Sequence, residues 1–316
     1  MRRLLVVVLV LFLVTIASFL LTALLGNPAA LLCGPGATPL CIAHERVFMG
    51  LNHPIIIQYF TWLGHFVTGN FGISYVTSGG TPVLTIIKQS YGITVELVVY
   101  SQVMALIVAI PIAMWAALRP NHIFDQLSTT FSFASLSAPP FIVGPLLALF
   151  FTAEIHAFPG VATPVPSIYS HLGSNLRVMF LPSLTLAIGS IAIYQRLLRA
   201  DMIATLEEDY IVMARAKGLS TQRILLRHAL RPSTFSLITV GGVQIGGLIT
   251  GAIIAEQVFA LHGLGSALVT AVSQSDYATV QMITVLVATA FVVLNFLIDF
   301  LYAFIDPRIR RARTAG

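Results

Sequence analysis

Apolar residues along this chain fall in long blocks separated by polar segments, and the first block runs for 22 residues without a charge. A helix of about 20 apolar residues crosses the hydrocarbon core of a bilayer, which is roughly 30 Å thick. The pattern therefore predicts six transmembrane helices, at Leu4–Leu25, Leu97–Leu118, Ser128–Ala153, Val178–Gln195, Phe235–Ala255 and Thr279–Ile298.

Composition supports an all-α membrane protein. Hydrophobic residues make up 57% of the chain, charged residues make up 9%, and the mean hydropathy is +0.91. A soluble fold of 316 residues has too little interior for so much apolar surface. We expect a transmembrane helix over 1–25, an extracytoplasmic loop over 26–96, a core of five helices over 97–305 and a basic cytoplasmic tail over 306–316.

Two arginines before the first block also fit the start of a signal peptide. The apolar region of a signal peptide is only about 7–15 residues long, whereas this block is 22 residues long. A retained first helix is therefore the favoured interpretation.

Positive charge predicts the orientation, because cytoplasmic loops carry an excess of Lys and Arg. With six spans, 14 of the 17 Lys and Arg residues fall on the side that holds both termini, and only Arg46, Lys88 and Arg177 fall on the other. Both termini are thus predicted to be cytoplasmic. The isoelectric point near 9.5 then follows from topology, and no nucleic-acid partner is expected.

The predicted external loop holds the two cysteines, Cys33 and Cys41. An oxidising exterior permits a disulfide between them, and two free thiols are the alternative. The same loop contains a segment, 53–72, with helical spacing of apolar residues: Ile56, Tyr59, Phe60, Leu63, Phe66 and Val67. It predicts a helix that either packs on the bundle or lies on the outer membrane surface.

The fifth predicted span contains two overlapping pairs of glycines spaced four apart, Gly242 with Gly246 and Gly247 with Gly251. Such spacing lets helix backbones approach closely in lipid, so this helix is expected inside the bundle. Gly242, Gly246, Glu256 and Asp299 are candidates for a translocation path. For the two acids, structural capping of a span end is the alternative.

Charge is concentrated between the fourth and fifth spans: Arg196–Pro232 holds 11 of the 29 charged residues. We predict a helix–turn–helix here. Acidic residues start its first helix, basic residues end it, and Gly218 terminates it in the left-handed conformation. Ser220 is expected to cap a second helix through its hydroxyl, and Pro232 to stop that helix or open the next span.

Apolar residues recur on one face of each predicted helix: Tyr210, Ile211 and Ala214 on the first, and Ile224, Leu225, His228 and Ala229 on the second. Two interpretations fit these faces. The segment folds back onto the membrane surface, or it docks a cytoplasmic partner, with small Ala214 and Gly218 allowing close approach.

The segment "DYIVMARAKGLSTQRILLRHALR", 209–231, resembles the cytoplasmic EAA loop of bacterial ABC importer permeases of the dipeptide and oligopeptide family. Segments 59–83 and 255–281 are also similar to that family. The sequence departs from the family pattern at Met213, Pro232, His262, Ser275 and Ala278. The resemblance implies that a coupling loop, 196–232, docks on an ATPase through Glu208, Asp209, Tyr210, Ala214, Arg215, Ala216, Lys217, Gly218, Leu219 and Ser220.

The resemblance further implies the type I ABC importer permease fold, with a loop inserted after the first helix, in the bacterial inner membrane. Expected partners are a second homologous permease, two ATPase subunits that bind ATP and Mg²⁺, an external peptide-binding protein and lipid. The expected cargo is a short peptide. Glutathione and chelated nickel are alternatives, because related permeases carry them.

Two other function classes fit the sequence less well. A membrane enzyme needs converging catalytic groups, whereas the acids near the spans, Glu96, Glu256 and Asp299, lack sequence partners. We expect neither a catalytic nor a metal site, and the sequence contains no P-loop motif. A passive channel would show a filter motif or periodic polar lining, and neither pattern is present.

Overall fold

The computed structural model describes residues 2–25, 29, 33, 37–48, 50–74 and 80–305, with side chains described from residue 5 to 22 in the first helix and up to residue 298 in the last. The predicted tail, 306–316, lies outside the described residues. The helices are α1 (Arg2–Leu25), α2 (Pro39–Phe48), α3 (Ile55–Val67), α4 (Val83–Leu118), α5 (Ile123–Ser137), α6 (Pro140–Ala148), α7 (Leu172–Leu206), α8 (Asp209–Ala216), α9 (Thr221–Arg223), α10 (Leu230–Phe259), α11 (Leu264–Ser273) and α12 (Tyr277–Ile305).

Three short elements complete the described architecture. A π-helical segment, Leu149–Glu154, extends α6, and a second, Ile224–Ala229, joins α9 to α10. Strands β1 (Ile73–Ser74) and β2 (Thr81–Pro82) pair antiparallel, with Ile73 opposite Pro82.

Five helices in the described chain are long and apolar enough to cross a membrane: α1, α4, α7, the continuous α9–α10 and α12. Helices α5 and α6 give a sixth span if they are taken together, although the axis bends by 104° between them. Two prolines explain the bend, because a residue before proline is driven from the helical to the extended region. Ala138 and Pro139 are both extended, with ψ of 109° and 146°. The predicted all-α membrane fold is confirmed, with its third span broken.

Some helices extend well beyond the apolar blocks. Helix α4 starts at Val83 where Leu97 was predicted, and α7 covers Leu172–Leu206 where only Val178–Gln195 was predicted. The cause is physical: hydropathy detects the part of a helix that suits lipid, whereas backbone hydrogen bonding continues into polar residues such as Lys88 and Arg199.

The chain divides into two compact units, one made of Met1–Gly92 with His262–Asp299 and the other of Ile93–Leu261 with Phe300–Gly316. In the first unit, α3 packs against α1 through the buried Tyr59. The Tyr59 hydroxyl lies 2.8 Å from the Thr15 hydroxyl, and its ring meets Phe12 and Phe19 edge-on. Thr15 lies inside the apolar window Leu5–Thr22, so α3 packs against the most apolar part of α1. This geometry favours the packing helix over a helix on the membrane surface.

A second contact fixes the other end of α3. Trp62 and Phe66 pack against a cluster of buried residues from α4, α11 and α12: Val83, Ile87, Leu264, Met282 and Ile283. The helix is shorter than the predicted segment, and Ile56, Phe60 and Val67 remain exposed.

The core of the second unit lies where α4, α7 and α10 meet. Helix α4 presents four buried alanines at four-residue spacing, Ala105, Ala109, Ala113 and Ala117, in one cluster with Ile191, Tyr194 and Leu198 of α7. Small side chains in one row allow close helix packing in lipid, where little hydrophobic force draws helices together. Helix α10 adds Leu237 to this cluster.

Candidate functional site

The charged segment forms a hairpin, residues 207–223, which consists of the connection after α7, helix α8, the turn after it and the first residues of the fifth span. Helix α7 ends at Leu206, and Glu208, with extended backbone, precedes α8. Because only Glu207 and Glu208 separate the two helices, α8 is attached to α7 by a very short connection.

A small apolar cluster holds the hairpin together. Ile211, Ala214 and Ile224 are buried together, and Leu206 and Leu219 pack against them. The expectation that Ala214 offers a close-approach surface to a partner is not met, because Ala214 is only 7% exposed and faces the hairpin interior. Tyr210 does not share this buried face, since its side chain is 44% exposed.

Gly218 ends α8 in the left-handed conformation, as its position in the sequence predicts. Its φ is +75°, a region that L-residues rarely adopt. The turn uses three backbone bonds, which run from Lys217, Gly218 and Leu219 to carbonyls of α8 and are 3.0, 2.9 and 3.3 Å long. Gly218 therefore sets the direction in which the chain leaves the helix.

The start of the second helix differs from the prediction. Ser220 occupies the N-cap position with extended backbone, but its side chain makes no capping hydrogen bond. Pro232 does not stop the helix; it is the third residue of α10, as expected if it opens a span, and Thr221–Phe259 is one continuous apolar helix. The predicted separate second helix is thus the beginning of the fifth span.

Pro232 also changes the hydrogen bonding at the base of the hairpin. Proline has no N–H, so the carbonyl four residues earlier, on His228, lacks its usual helical donor. The Tyr210 hydroxyl donates to this carbonyl at 3.4 Å. Partial burial and the nearby charge of Glu208 raise the pKa of the Tyr210 phenol. This bond ties α8 to the base of the fifth span.

Most of the residues predicted to dock are exposed. Eight of the ten lie at the surface: Glu208, Asp209, Tyr210, Arg215, Ala216, Lys217, Gly218 and Ser220. Leu219 is partly buried and Ala214 is buried. Sequence reasoning missed Val212 and Met213, which are 57% and 58% exposed. The available signal was their place in the helical period, opposite Ile211 and Ala214.

The candidate path residues have separate surroundings. Gly242 and Gly246 are buried on α10. Glu256 is completely buried, and the Thr94 hydroxyl donates to its Oε1 at 2.6 Å, which fastens α10 to α4. Asp299 lies in α12, and its side chain is outside the described residues. The path assignment remains a prediction for all four residues.

Sequence reasoning also missed Gly241. A Cβ atom there would lie 3.2 Å from Nε2 of Gln102 and 3.8 Å from the Tyr194 hydroxyl. Tyr194 donates to Oε1 of Gln102 at 2.8 Å. Gly241 thus lets α10 approach a polar contact between α4 and α7.

The structure joins Cys33 and Cys41 by a disulfide, with the two Cα atoms 6.1 Å apart. We expect mass mapping of the unreduced, protease-digested protein to recover a peptide pair linked through these cysteines. Alkylation of both thiols without prior reduction would contradict the bridge. A digest that has been reduced before alkylation is the matched control.

Comparison with known proteins decides the family. The model described as "Binding-protein-dependent transport system inner membrane component" matches residues 109–311, and the model of the N-terminal part of such membrane components matches residues 1–101. The chain belongs to this family of transport-system inner membrane components. The resemblance recognised in the sequence is thereby confirmed, and the hairpin lies inside the matched region of the permease.

Named relatives cover almost the whole permease. It is 35% identical to the probable peptide ABC transporter permease y4tP of Sinorhizobium fredii, over 98% of both chains. It is also 35% identical to the oligopeptide transport system permease AppB of Bacillus subtilis, over 98% of both. The glutathione transport system permease GsiC of Escherichia coli is 35% identical over 98% of this permease and 97% of the relative.

Proposed function

We propose that this chain is one of two membrane subunits of an ATP-driven importer that moves short peptides into the cytoplasm by alternating access. The observation that carries the proposal is the exposed hairpin, which holds eight of the predicted docking residues at its surface while an apolar cluster keeps it compact. A surface of charged and apolar residues on a compact element suits the groove of a protein partner.

The connections of the hairpin allow it to transmit a movement to the membrane spans. Its two ends continue directly into α7 and the fifth span, both of which are long helices. The apolar cluster and the Tyr210–His228 bond restrain bending inside the hairpin. A partner that displaces α8 would therefore move both spans, and such movement of packed helices is how a central cavity opens to alternate sides.

Energy must come from other subunits in this proposal, because the sequence has no P-loop for nucleotide phosphates. We infer two cytoplasmic ATPase subunits that bind ATP and Mg²⁺, a second homologous permease, and an external binding protein that delivers the cargo. The family description, which names binding-protein-dependent transport, supports this set of partners.

We also infer an orientation in the bacterial inner membrane. With both termini and the hairpin in the cytoplasm, 14 of 17 Lys and Arg residues lie on the cytoplasmic side, as the positive-inside rule requires. The same orientation places the Cys33–Cys41 disulfide outside, where oxidation is permitted.

Short peptides are the proposed cargo, because peptide and oligopeptide permeases are among the relatives that match over nearly the full chain. Glutathione is the second candidate, since a glutathione permease is 35% identical. Glutathione is itself a tripeptide, so both cargoes present an amine and at least one carboxylate to the transporter.

The test uses the complex purified from its native membrane through a tag on the permease and reconstituted in liposomes. We expect ATP-dependent uptake of labelled alanine peptides, measured as a series of increasing length, with labelled glutathione in parallel. Uptake by the permease alone, without ATPase subunits, would reject the proposed function. Uptake of glutathione but of no alanine peptide would select the second cargo.

A further inference from the structure

An ion pair between the buried Asp125 and the partly exposed Arg199 joins α5 to α7. Arg199 of α7 donates to the Asp125 carboxylate of α5 through Nε to Oδ1 and through Nη2 to Oδ2, the latter over 2.6 Å. Asp125 is only 2% exposed, and its Oδ2 also accepts the backbone N–H of Asn121 at 2.8 Å. Two parallel bonds to one carboxylate fix the angle as well as the distance between the two side chains.

The ion pair belongs to a longer polar seam between the same two helices. Gln195 lies one turn before Arg199, and its Oε1 accepts the Ser132 hydroxyl at 2.6 Å. Its Nε2 donates to the Ser128 hydroxyl at 3.3 Å. The seam thus pairs Asp125, Ser128 and Ser132 on α5 with Gln195 and Arg199 on α7. Ser132 and Gln195 are both buried.

Stability alone does not explain such a seam. A buried ion pair loses about as much free energy on desolvation as its attraction returns, and apolar pairs of similar size are often equally stable. A bidentate pair instead fixes the position of one helix along the other. A slide or rotation of α5 along α7 would leave the buried Asp125 carboxylate without its Arg199 partner, which is strongly unfavourable. The two helices are therefore constrained to move as one body.

The seam lies between the hairpin and the bend of the broken span. Arg199 lies in the last turns of α7, close to Leu206, where the hairpin begins. Helix α5 leads directly into the 104° bend between Ser137 and Pro140. Beyond the bend, α6 packs against α7 and α10. A displacement of the hairpin can thus reach the broken span through contacts with α7 and α10, and the seam is a polar, directional one among them.

We propose that Asp125 and Arg199 are a positioning pair that makes α5 follow α7 when the hairpin is displaced, so that the motion reaches the bend of the broken span. The inference rests on the proposed function, because it assigns the pair a role in coupling ATP hydrolysis to uptake. Neither residue needs to contact the cargo or the ATPase.

The test separates coupling from folding. Asp125→Leu with Arg199→Met replaces the ion pair by apolar groups, an exchange that buried pairs often tolerate. Arg199→Lys keeps the charge but loses the two-pronged geometry. Arg196→Met is the control: Arg196 is exposed one turn earlier on α7 and stacks on Phe133, with 5.6 Å from its guanidinium carbon to the ring centroid. Each complex is reconstituted, and peptide uptake, ATP hydrolysis and thermal unfolding are measured.

We expect the double variant to assemble and unfold near the wild-type temperature, to hydrolyse ATP, and to take up about 5- to 150-fold less peptide per ATP, the usual range of allosteric coupling. Arg199→Lys should lower that ratio less, and the control should keep it. A wild-type ratio in the double variant overturns the proposal. If the double variant does not assemble, an unchanged ratio in Arg199→Lys overturns it. Absence of ATP-dependent uptake in the wild type instead rejects the proposed function.

Discussion

Peptide uptake is expected to fall about 5- to 150-fold in a variant that combines Lys217→Glu with Gly218→Pro, because the variant loses the geometry of the docking surface. Gly218 has φ of +75°, whereas proline is locked near −65°. Proline also removes the N–H that donates to Arg215 at 2.9 Å. The end of α8 must therefore rearrange, and the exposed Lys217 reverses its charge at the same place.

Membrane insertion should survive these changes, since both residues are exposed and lie outside the long apolar helices. The measurement is uptake and ATP hydrolysis by the reconstituted complex, with protein yield in the membrane as the check on insertion. Normal peptide uptake by this variant would end the docking hypothesis.

A matched control exists inside the same hairpin. Thr221→Pro with Arg223→Glu also introduces one proline and one charge reversal, at residues that are likewise exposed. Thr221 is the first residue of its helix, where proline is well tolerated. Ser220 before it already has the extended backbone, φ −64° and ψ 147°, that a residue before proline prefers. We expect this control to retain uptake.

The second large effect is expected at Gly241. A leucine there would enter the space of Gln102 and Tyr194, because even its Cβ would lie 3.2 Å from Nε2 of Gln102. Overpacking of this kind typically lowers the free energy of unfolding by about 1–3 kcal/mol. We therefore expect Gly241→Leu to lower the thermal unfolding temperature of the detergent-solubilised permease, or to reduce its yield.

Gly247 on the same helix provides the comparison. A Cβ at Gly247 meets no atom within 4 Å, and the residue is exposed. Gly247→Leu should leave the unfolding temperature of the isolated permease near that of the wild type. Equal unfolding temperatures for the two leucine variants would show that the contact among α4, α7 and α10 does not depend on Gly241.

The glycine pattern illustrates what spacing predicts and what it does not. Two overlapping glycine pairs indicated that α10 packs closely, and Gly251 does, since a Cβ there would lie 3.1 Å from Leu186. Gly247 has the same spacing but faces open space, and Gly241, outside both pairs, lies against the polar contact between Gln102 and Tyr194. Spacing shows which glycines share a helix face. What that face contacts depends on residues that are distant in sequence.

The hairpin also has one feature that the sequence predicts and others that it does not. The left-handed Gly218 followed from sequence because helix termination depends on residues within one turn. The absent Ser220 cap and the uninterrupted helix through Pro232 did not follow. The backbone around those two positions depends on several features together: the π-helical segment, the packing of Ile224 and Leu225, and the hydrogen bond from Tyr210. Local helix propensity is only one contribution.

The sequence by itself determined that this is a helical membrane protein, where its apolar spans lie and where its charged hairpin falls. Its motifs already resembled the family that the comparisons establish. Hydropathy and turn chemistry are properties of short segments, so they can be read without knowing the neighbours. Tertiary structure alone decided that Ala214 faces inward and that Arg199, counted from sequence among the cytoplasmic cations, is paired with a buried Asp125. Each of these depends on groups far apart in the chain, whose burial and partners exist only after the helices pack.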